Sequence, residues 1–374
     1  MGLESIPSKD FHLNGLDHLR ALAIFFVFLF HYQVLFLHPR WVELIGKYGW
    51  IGVDLFFVLS GYLISSGLFK EIKAVQDFSW KNFILKRIFK IFPPFLLVLG
   101  VYFFFPITHE KESLAPLWKY LSFTQNFGLN AHTQGTFSHA WSLCVEEQFY
   151  LFFPFLLYLF LRLKKWKWVP FLLVSIILLG IFVRGYSYLE FCKGLENTDE
   201  FGTLWTQYIY YPTYCRLDGL VFGIGLSAIW NFLPKTEARI KRLGNWIGVF
   251  TFLVFALVPI FNLENDLSGS LFAFPLIDLS MASLVSIALC PSTWLYKISS
   301  SLTRFFSKIS YSMYLVHKIT IHLVQGPFNF LHLNPNGNAM FLLCLLITVF
   351  ISFLMYQALE IPFLNWRNKL IYMN

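Results

Sequence analysis

Ten stretches of the chain are apolar over about the length that an α-helix needs to cross a hydrocarbon core ~30 Å thick. They fall near residues 19–37, 50–69, 88–106, 139–161, 168–185, 217–233, 246–262, 270–290, 307–326 and 339–359. Backbone inside lipid must satisfy its own N–H and C=O groups, so this succession predicts an all-α transmembrane bundle of about ten spans. Composition agrees with lipid as the solvent. Of 374 residues 57% are hydrophobic and only 13% charged, and the mean hydropathy is +0.59. The 45 Phe suit a lipid-facing surface, since in water such rings form patches prone to association.

Lysine and arginine divide unevenly between the connecting segments. With the N-terminus in the cytoplasm, 20 fall inside and 7 outside (Arg40, Lys47, Lys111, Lys119, Arg184, Lys193 and Arg216). Arg20 and Lys318 lie within or at the ends of spans. The asymmetry follows the positive-inside rule and predicts a cytoplasmic N-terminus. It also absorbs the net charge of +8, so no nucleic-acid partner is indicated. Met1 to Asp17 holds no continuous apolar run, and no cleaved signal peptide is expected. Loops are short apart from 107–138 and 186–216, so residues 1–374 read as one integral membrane domain with no fused soluble domain. The first long loop, "APLWKYLSFTQNF", is apolar enough to dip into the membrane or lie on it. Cys144, Cys192, Cys215, Cys290 and Cys344 lack metal-ligand spacing, so no metal is expected. Cys192 and Cys215 share an outer segment and could form a disulfide.

An ionisable side chain at the centre of a transmembrane helix costs at least about 2.5 kcal/mol, so each one present is expected to face a polar interior. Arg20 and His31 are eleven residues apart, which is about 16 Å of rise and about 1100° of rotation, and so share one helix face. Arg20 is expected near the cytoplasmic surface and His31 near mid-membrane. The span "HAWSLCVEEQFYLFFPF" puts Glu146 and Glu147 about 12 Å below the outer surface, at a depth matching His31. A carboxylate there would hold the imidazole in one tautomer, and the ring would accept a proton from an attacking hydroxyl. The two glutamates point about 100° apart, so only one is expected to serve a site. A bland role for His31 is a hydrogen bond to a neighbouring helix.

Lys86, Arg87 and Lys90 stand at the cytoplasmic mouth of the third span. Arg87 and Lys90, at i and i+3, are neighbours able to bind phosphates or simply to anchor the helix. Pro93 and Pro94 then interrupt that helix. In "GWIGVDLFFVLSGYLI", Asp54 needs a partner, for which Arg216 or Asp218 of "RLDGL" is the candidate, while Ser60 and Gly61 permit close helix packing. In "YSMYLVHK", the hydroxyls of Tyr311, Ser312 and Tyr314, with His317, either bond across helices or line a sugar path.

Taken in order, "LDHLRALAIFFVFLFHY", "GVDLFFVLSGYLI", "WSLCVEEQFYLFFP", "RLDGLVFGIGLSA" and "YSMYLVH" resemble the acyltransferase-3 family of integral membrane O-acyltransferases over nearly the whole chain. The resemblance implies transfer of an acetyl or other short acyl group from acyl-coenzyme A to extracytoplasmic glycans. The family's Arg-to-His motif falls on Arg20 and His31, with His31 as the catalytic histidine. Its Arg-x-x-Arg donor motif meets Arg87 and then Lys90, which keeps the charge and loses the planar fork. Its glutamate maps to Glu146 or Glu147, Glu147 being preferred. Some relatives carry a fused esterase-like domain. This chain is expected to act directly on the acceptor or with a separate partner enzyme.

The expectation is therefore a bacterial inner-membrane enzyme. Acyl-coenzyme A, with acetyl-CoA as the expected form, binds beside Arg20, Arg87, Lys90 and Lys86, and a glycan or lipid-linked sugar of the cell envelope, a polysaccharide for example, enters from outside. His31 deprotonates the acceptor hydroxyl, oriented by Glu147. The alternatives are a covalent acyl-enzyme, a transporter or lipid flippase with a mid-membrane polar path, and an acyl-relay subunit that needs a partner. No internal repeat supports the transporter.

Overall fold

The computed structural model describes residues 14–165, 168–257, 266–327, 329 and 331–372. The expectations for residues 1–13, Lys9 included, for Lys167, and for the end of the seventh span at 258–262 lie outside the described residues. Every regular element among the described residues is helical. Ten longer helices are α1 (Asn14–Leu35), α2 (Ile51–Val75), α3 (Trp80–Phe104), α4 (Trp141–Arg162), α5 (Val169–Ser187), α6 (Asp218–Phe232), α7 (Gly244–Leu257), α8 (Leu267–Leu289), α9 (Ser301–Gln325) and α10 (Asn338–Met355).

Six segments are both long and apolar enough to cross a membrane: Asn14–Leu35, Ile51–Val75, Ser138–Arg162, Val169–Cys192, Leu267–Leu289 and Asn338–Ile371. Asp218–Phe232 and Gly244–Ala256 are apolar but shorter. Helix α9 spans 25 residues yet interrupts its apolar sequence with Arg304, Lys308, His317 and Lys318. It is packed from several sides, and His317 and Lys318 are almost wholly buried. That burial is how a helix this polar is accommodated within a lipid-soluble bundle.

Helices α2 and α6 form a close backbone contact. A Cβ at Gly61 would stand 2.2 Å from the carbonyl oxygen of Leu220, and one at Gly223 would stand 2.3 Å from that of Val58. Only glycine at both positions permits this approach, which is the way small residues bind helices in lipid. The packing expected of Gly61 is thus present, whereas Ser60 turns instead to Glu146.

Three wider turns of helix insert one extra residue per turn: Tyr188–Cys192, Thr206–Tyr210 and Tyr356–Glu360. Such bulges re-aim side chains within an otherwise regular helix. The segment 105–140 folds back onto the bundle. Its short helix Leu117–Leu121 leaves Leu117, Trp118 and Leu121 exposed while Tyr120, Gln125 and Asn126 are buried.

A group of buried charges joins α2, α5, α6 and α8. The Arg216 guanidinium donates to Asp54 at 2.5 Å, and Arg184 donates to Asp218 at 2.5 Å and to the Cys215 carbonyl at 2.6 Å. Asp54 therefore has the partner expected of "RLDGL", with Asp218 taken by Arg184. A third carboxyl, Asp278, is buried beside them. Arg184 and Arg216 are 0% and 2% exposed, so they are not the solvated loop charges they resemble in the sequence. The disulfide that a shared segment would allow between Cys192 and Cys215 is not formed: all five cysteines are free and buried. The Cys215 thiol lies 3.6 Å from the Tyr208 carbonyl, while Cys192 packs in a separate cluster with Tyr188 and Phe201.

Removing one member of a buried ion pair leaves its partner desolvated and uncompensated. Arg216→Ala is expected to destabilise the protein by about 3–5 kcal/mol, read as a lowered unfolding temperature in detergent. Adding Asp54→Asn to that variant should restore part of the loss. An unchanged unfolding temperature would contradict this account.

Candidate active site

Among the described residues two cavities within the bundle have charged linings, while a third, of about 190 Å³ beside Phe149 and Leu217, is lined almost wholly by apolar side chains. The first, of about 160 Å³, is lined by Arg20, Arg87, Lys90 and Lys308 together with Glu146, Glu147 and Glu360. Arg20 reaches it from the beginning of α1, and Arg87 and Lys90 from one face of α3. Lys86 is exposed and outside it, because one helical step of about 100° turns it away from Arg87. The Arg87 guanidinium lies over the Tyr150 ring at 5.3 Å. Glu146 accepts from Ser60 at 3.1 Å and from the Tyr150 hydroxyl. Both glutamates line this one cavity, against the expectation that only one could, because it embraces a broad flank of α4. Tyr311 lines it too and donates to the Ile91 carbonyl at 2.9 Å. Glu360 accepts from Ser312 at 2.6 Å.

The second cavity, of about 360 Å³, is lined by His31, His139, Lys47, Lys111 and Lys318 and by Trp50, Trp141, Trp205, Tyr210 and Tyr211. The imidazoles of His31, His139 and His317 cluster here: ring centroids are 4.8 Å apart for His31 and His317, and 4.9 Å for His139 and His317. The His317 Nδ1 faces the carbonyls of Tyr314 at 2.8 Å and Met313 at 3.1 Å. Both can only accept, so Nδ1 of the neutral ring carries the proton and Nε2 is a lone pair. The His31 Nδ1 stands 3.0 Å from that Nε2 and 3.0 Å from the Val27 carbonyl. It too must be the protonated nitrogen. The His31 Nε2 is left as an unprotonated lone pair in a ring that lines the cavity.

This arrangement corrects two expectations. The tautomer of His31 is set by His317 and the Val27 carbonyl, with no contact from Glu147, which lines the other cavity. Nor do His31 and the glutamates share a depth. His31 is 5.8 Å, ring to ring, from His139, and His139 precedes Glu147 by eight residues, about 12 Å of helix. The reason lies in α1, which ends at Leu35, so that His31 stands four residues from its end.

Val53 and Tyr314 are the residues that line both cavities. The Tyr314 hydroxyl donates to the His139 carbonyl at 2.6 Å and bonds the Ser142 hydroxyl at 2.5 Å. This wall is fixed by hydrogen bonds from α4 and α9. Asp54, Arg216 and Asp218 line neither cavity; they belong to the buried ion group.

Several residues escaped the sequence reading. Lys318 is 1% exposed and bonds Glu110 at 2.7 Å, the Gly135 carbonyl at 3.2 Å and the Ser138 hydroxyl at 3.4 Å. It thereby ties α9 to the segment 105–140. A lysine buried within an apolar helix is a readable signal, whereas Glu110 and His139 carried none. Among the described residues no group of three His, Cys, Asp or Glu is arranged to hold a metal.

Comparison with known proteins places these observations. Residues 13–357 match the family described as an acyltransferase domain. The chain is 30% identical, over 96% of its length, to "Putative O-acetyltransferase SAR0937" of Staphylococcus aureus (strain MRSA252), of which it covers 60%. It is also 30% identical, over 84% of its length, to "O-acetyltransferase OatA" of Staphylococcus aureus (strain NCTC 8325 / PS 47), of which it covers 51%. The chain thus spans only part of the length of these relatives. No solved structure matches. With its motifs, its all-helical bundle and nearly its whole length matched, the chain belongs to the acyltransferase-3 family of membrane proteins.

Proposed function

We propose that this chain is a bacterial inner-membrane O-acyltransferase of about ten spans with a cytoplasmic N-terminus, moving an acetyl or other short acyl group from cytoplasmic acyl-coenzyme A to an extracytoplasmic glycan. The observation that carries this reading is the pair of cavities parted by Val53 and Tyr314, one rich in cations and the other holding an imidazole with a free lone pair. In this reading the donor's phosphates meet Arg20, Arg87 and Lys90, and its thioester points toward the wall. An acceptor hydroxyl in the second cavity gives its proton to His31 Nε2, and its oxygen attacks the thioester carbonyl. The carbon–sulfur bond breaks and the thiolate takes the proton back from His31. His317 stabilises the transient imidazolium by accepting from its Nδ1–H. Glu146 and Glu147 are assigned to the donor side, balancing Arg87 and Lys90.

A second reading draws on the greater length of the relatives. There the acyl group passes to a separate domain or partner enzyme before it reaches the glycan. Product that forms only when such a partner is added would favour it.

His31→Ala is expected to lower transfer by about 10²–10⁴-fold while acyl-coenzyme A still binds, as measured by radiolabel transfer and donor titration in nanodiscs. Retained turnover would remove His31 from proton transfer. Arg87→Gln should raise the donor KM by about tenfold or more, and Lys90→Arg should lower it by restoring a planar fork. An unchanged donor KM in both would move the coenzyme elsewhere. Val53→Phe narrows the wall, so succinyl transfer should fall more than acetyl transfer. Equal losses for the two acyl groups would mean that the acyl group does not cross there.

A further inference from the structure

The lining of the second cavity has a one-sided charge. Lys47, Lys111 and Lys318 contribute to it with His31, His132 and His139, and no Asp or Glu is among its described lining residues. The Lys318 charge is answered below the surface by Glu110, whose side chain is 0% exposed. Lys47 and Lys111 are not answered in this way: both are exposed at the cavity and neither joins an ion pair among the described residues. The position of Lys111 is fixed by its surroundings. Its backbone N–H donates to Thr136 at 3.1 Å and its carbonyl accepts from the same hydroxyl at 2.8 Å. Its stem crosses Gly135, where a Cβ would meet the Lys111 Cγ at 2.8 Å.

Much of the remaining lining is aromatic, alongside aliphatic residues such as Val27, Val34 and Leu35. Trp50, Trp141, Trp205 and Tyr210 contribute to it, Trp141 and Trp205 as well-buried rings, and the Arg216 guanidinium braces two of them, lying 5.6 Å from the Trp141 ring and 4.8 Å from the Tyr210 ring. Flat rings suit the C–H faces of a pyranose, and two ammonium groups without a carboxylate partner among the described residues, Lys111 and Lys47, the latter 4.9 Å from the Tyr48 ring, suit an anion beside it. A neutral sugar would gain hydrogen bonds from them but not the charge attraction.

We infer that the acceptor is an anionic saccharide, with a carboxylate or phosphate held by Lys47 and Lys111 while its sugar ring lies against the tryptophans and its hydroxyl meets His31. This rests on the acyltransferase reading above and names the substrate class of its acceptor site. The two lysines are binding residues that select the substrate and take no part in bond making. Charge attraction of this kind raises affinity and weakens with salt.

The test separates binding from turnover. The full chain is placed in nanodiscs of zwitterionic lipid, and its tryptophan fluorescence is titrated with hyaluronan tetrasaccharide, which carries carboxylates, and with neutral chitotetraose. A second matched pair is maltotetraose with and without a phosphate. For at least one pair the anionic member should bind about tenfold more tightly at low salt, the advantage shrinking as salt rises to about 500 mM. The K47Q/K111Q double variant, with the unfolding temperature of the wild type, should lose most of that advantage. Equal binding of anionic and neutral members in both pairs, or a preference untouched by K47Q/K111Q, overturns the inference. So does a preference abolished by adding phosphatidylglycerol to the nanodiscs, which would make the lysines lipid headgroup contacts. Radiolabel transfer from acetyl-coenzyme A is followed in parallel. Anionic preference in binding without transfer to any acceptor would keep the cavity as an anionic-saccharide site and remove the acyltransferase reading, and with it the role of that saccharide as acceptor.

Discussion

The contact of Arg216 with Asp54, buried at 2.5 Å, is what the interior depends on. Neither charge can face lipid alone, so each fixes the other, and together they fix what surrounds them. Asp54 follows Val53, which lines both cavities. Arg216 lies against the rings of Trp141, Tyr210 and Phe274. One ion pair thus positions both the partition between the cavities and part of the aromatic lining of the second. The glycine contact between α2 and α6 brings its two sides together.

Much of this was legible in the sequence because lipid is an exacting solvent. Each apolar stretch falls on one of the ten longer helices described, six of which are long and apolar enough to cross a membrane, and the rule that buried charges seek partners points from Asp54 to "RLDGL", where Arg216 answers it. The family motif joined Arg20 and His31 on one flank of α1, and the structure gives them a cavity each. The position of His31 along its helix was misjudged, since the apolar stretch near 19–37 does not mark where the helix ends, at Leu35. The glutamates were assigned to the wrong neighbour for the same reason: a level compared between two helices inherits the error in both boundaries.

What remained illegible depends on contacts distant in sequence or on local departures from regular helix. His139 and Glu110 look unremarkable in their loops, and only the fold sets them against α9. Glu360 follows a wider turn at Tyr356–Glu360, so a regular helical wheel drawn through α10 places it on the wrong bearing. The same holds for Tyr210, at the end of Thr206–Tyr210. A tally of hydrophobic periodicity cannot register one inserted residue, although that residue decides which side chains reach the interior.

The thinness of the division at Val53 and Tyr314 has an electrical consequence. If each hollow is wetted from its own face of the membrane, the insulating distance there shrinks from the full bilayer to the width of two side chains. A potential of 100 mV is worth about 2.3 kcal/mol for each elementary charge moved through it, and here nearly the whole drop would fall across a few atoms. Any proton or anionic group displaced between the two compartments would then do work for or against the cell's voltage, so that energised and depolarised membranes would run the chemistry at different rates.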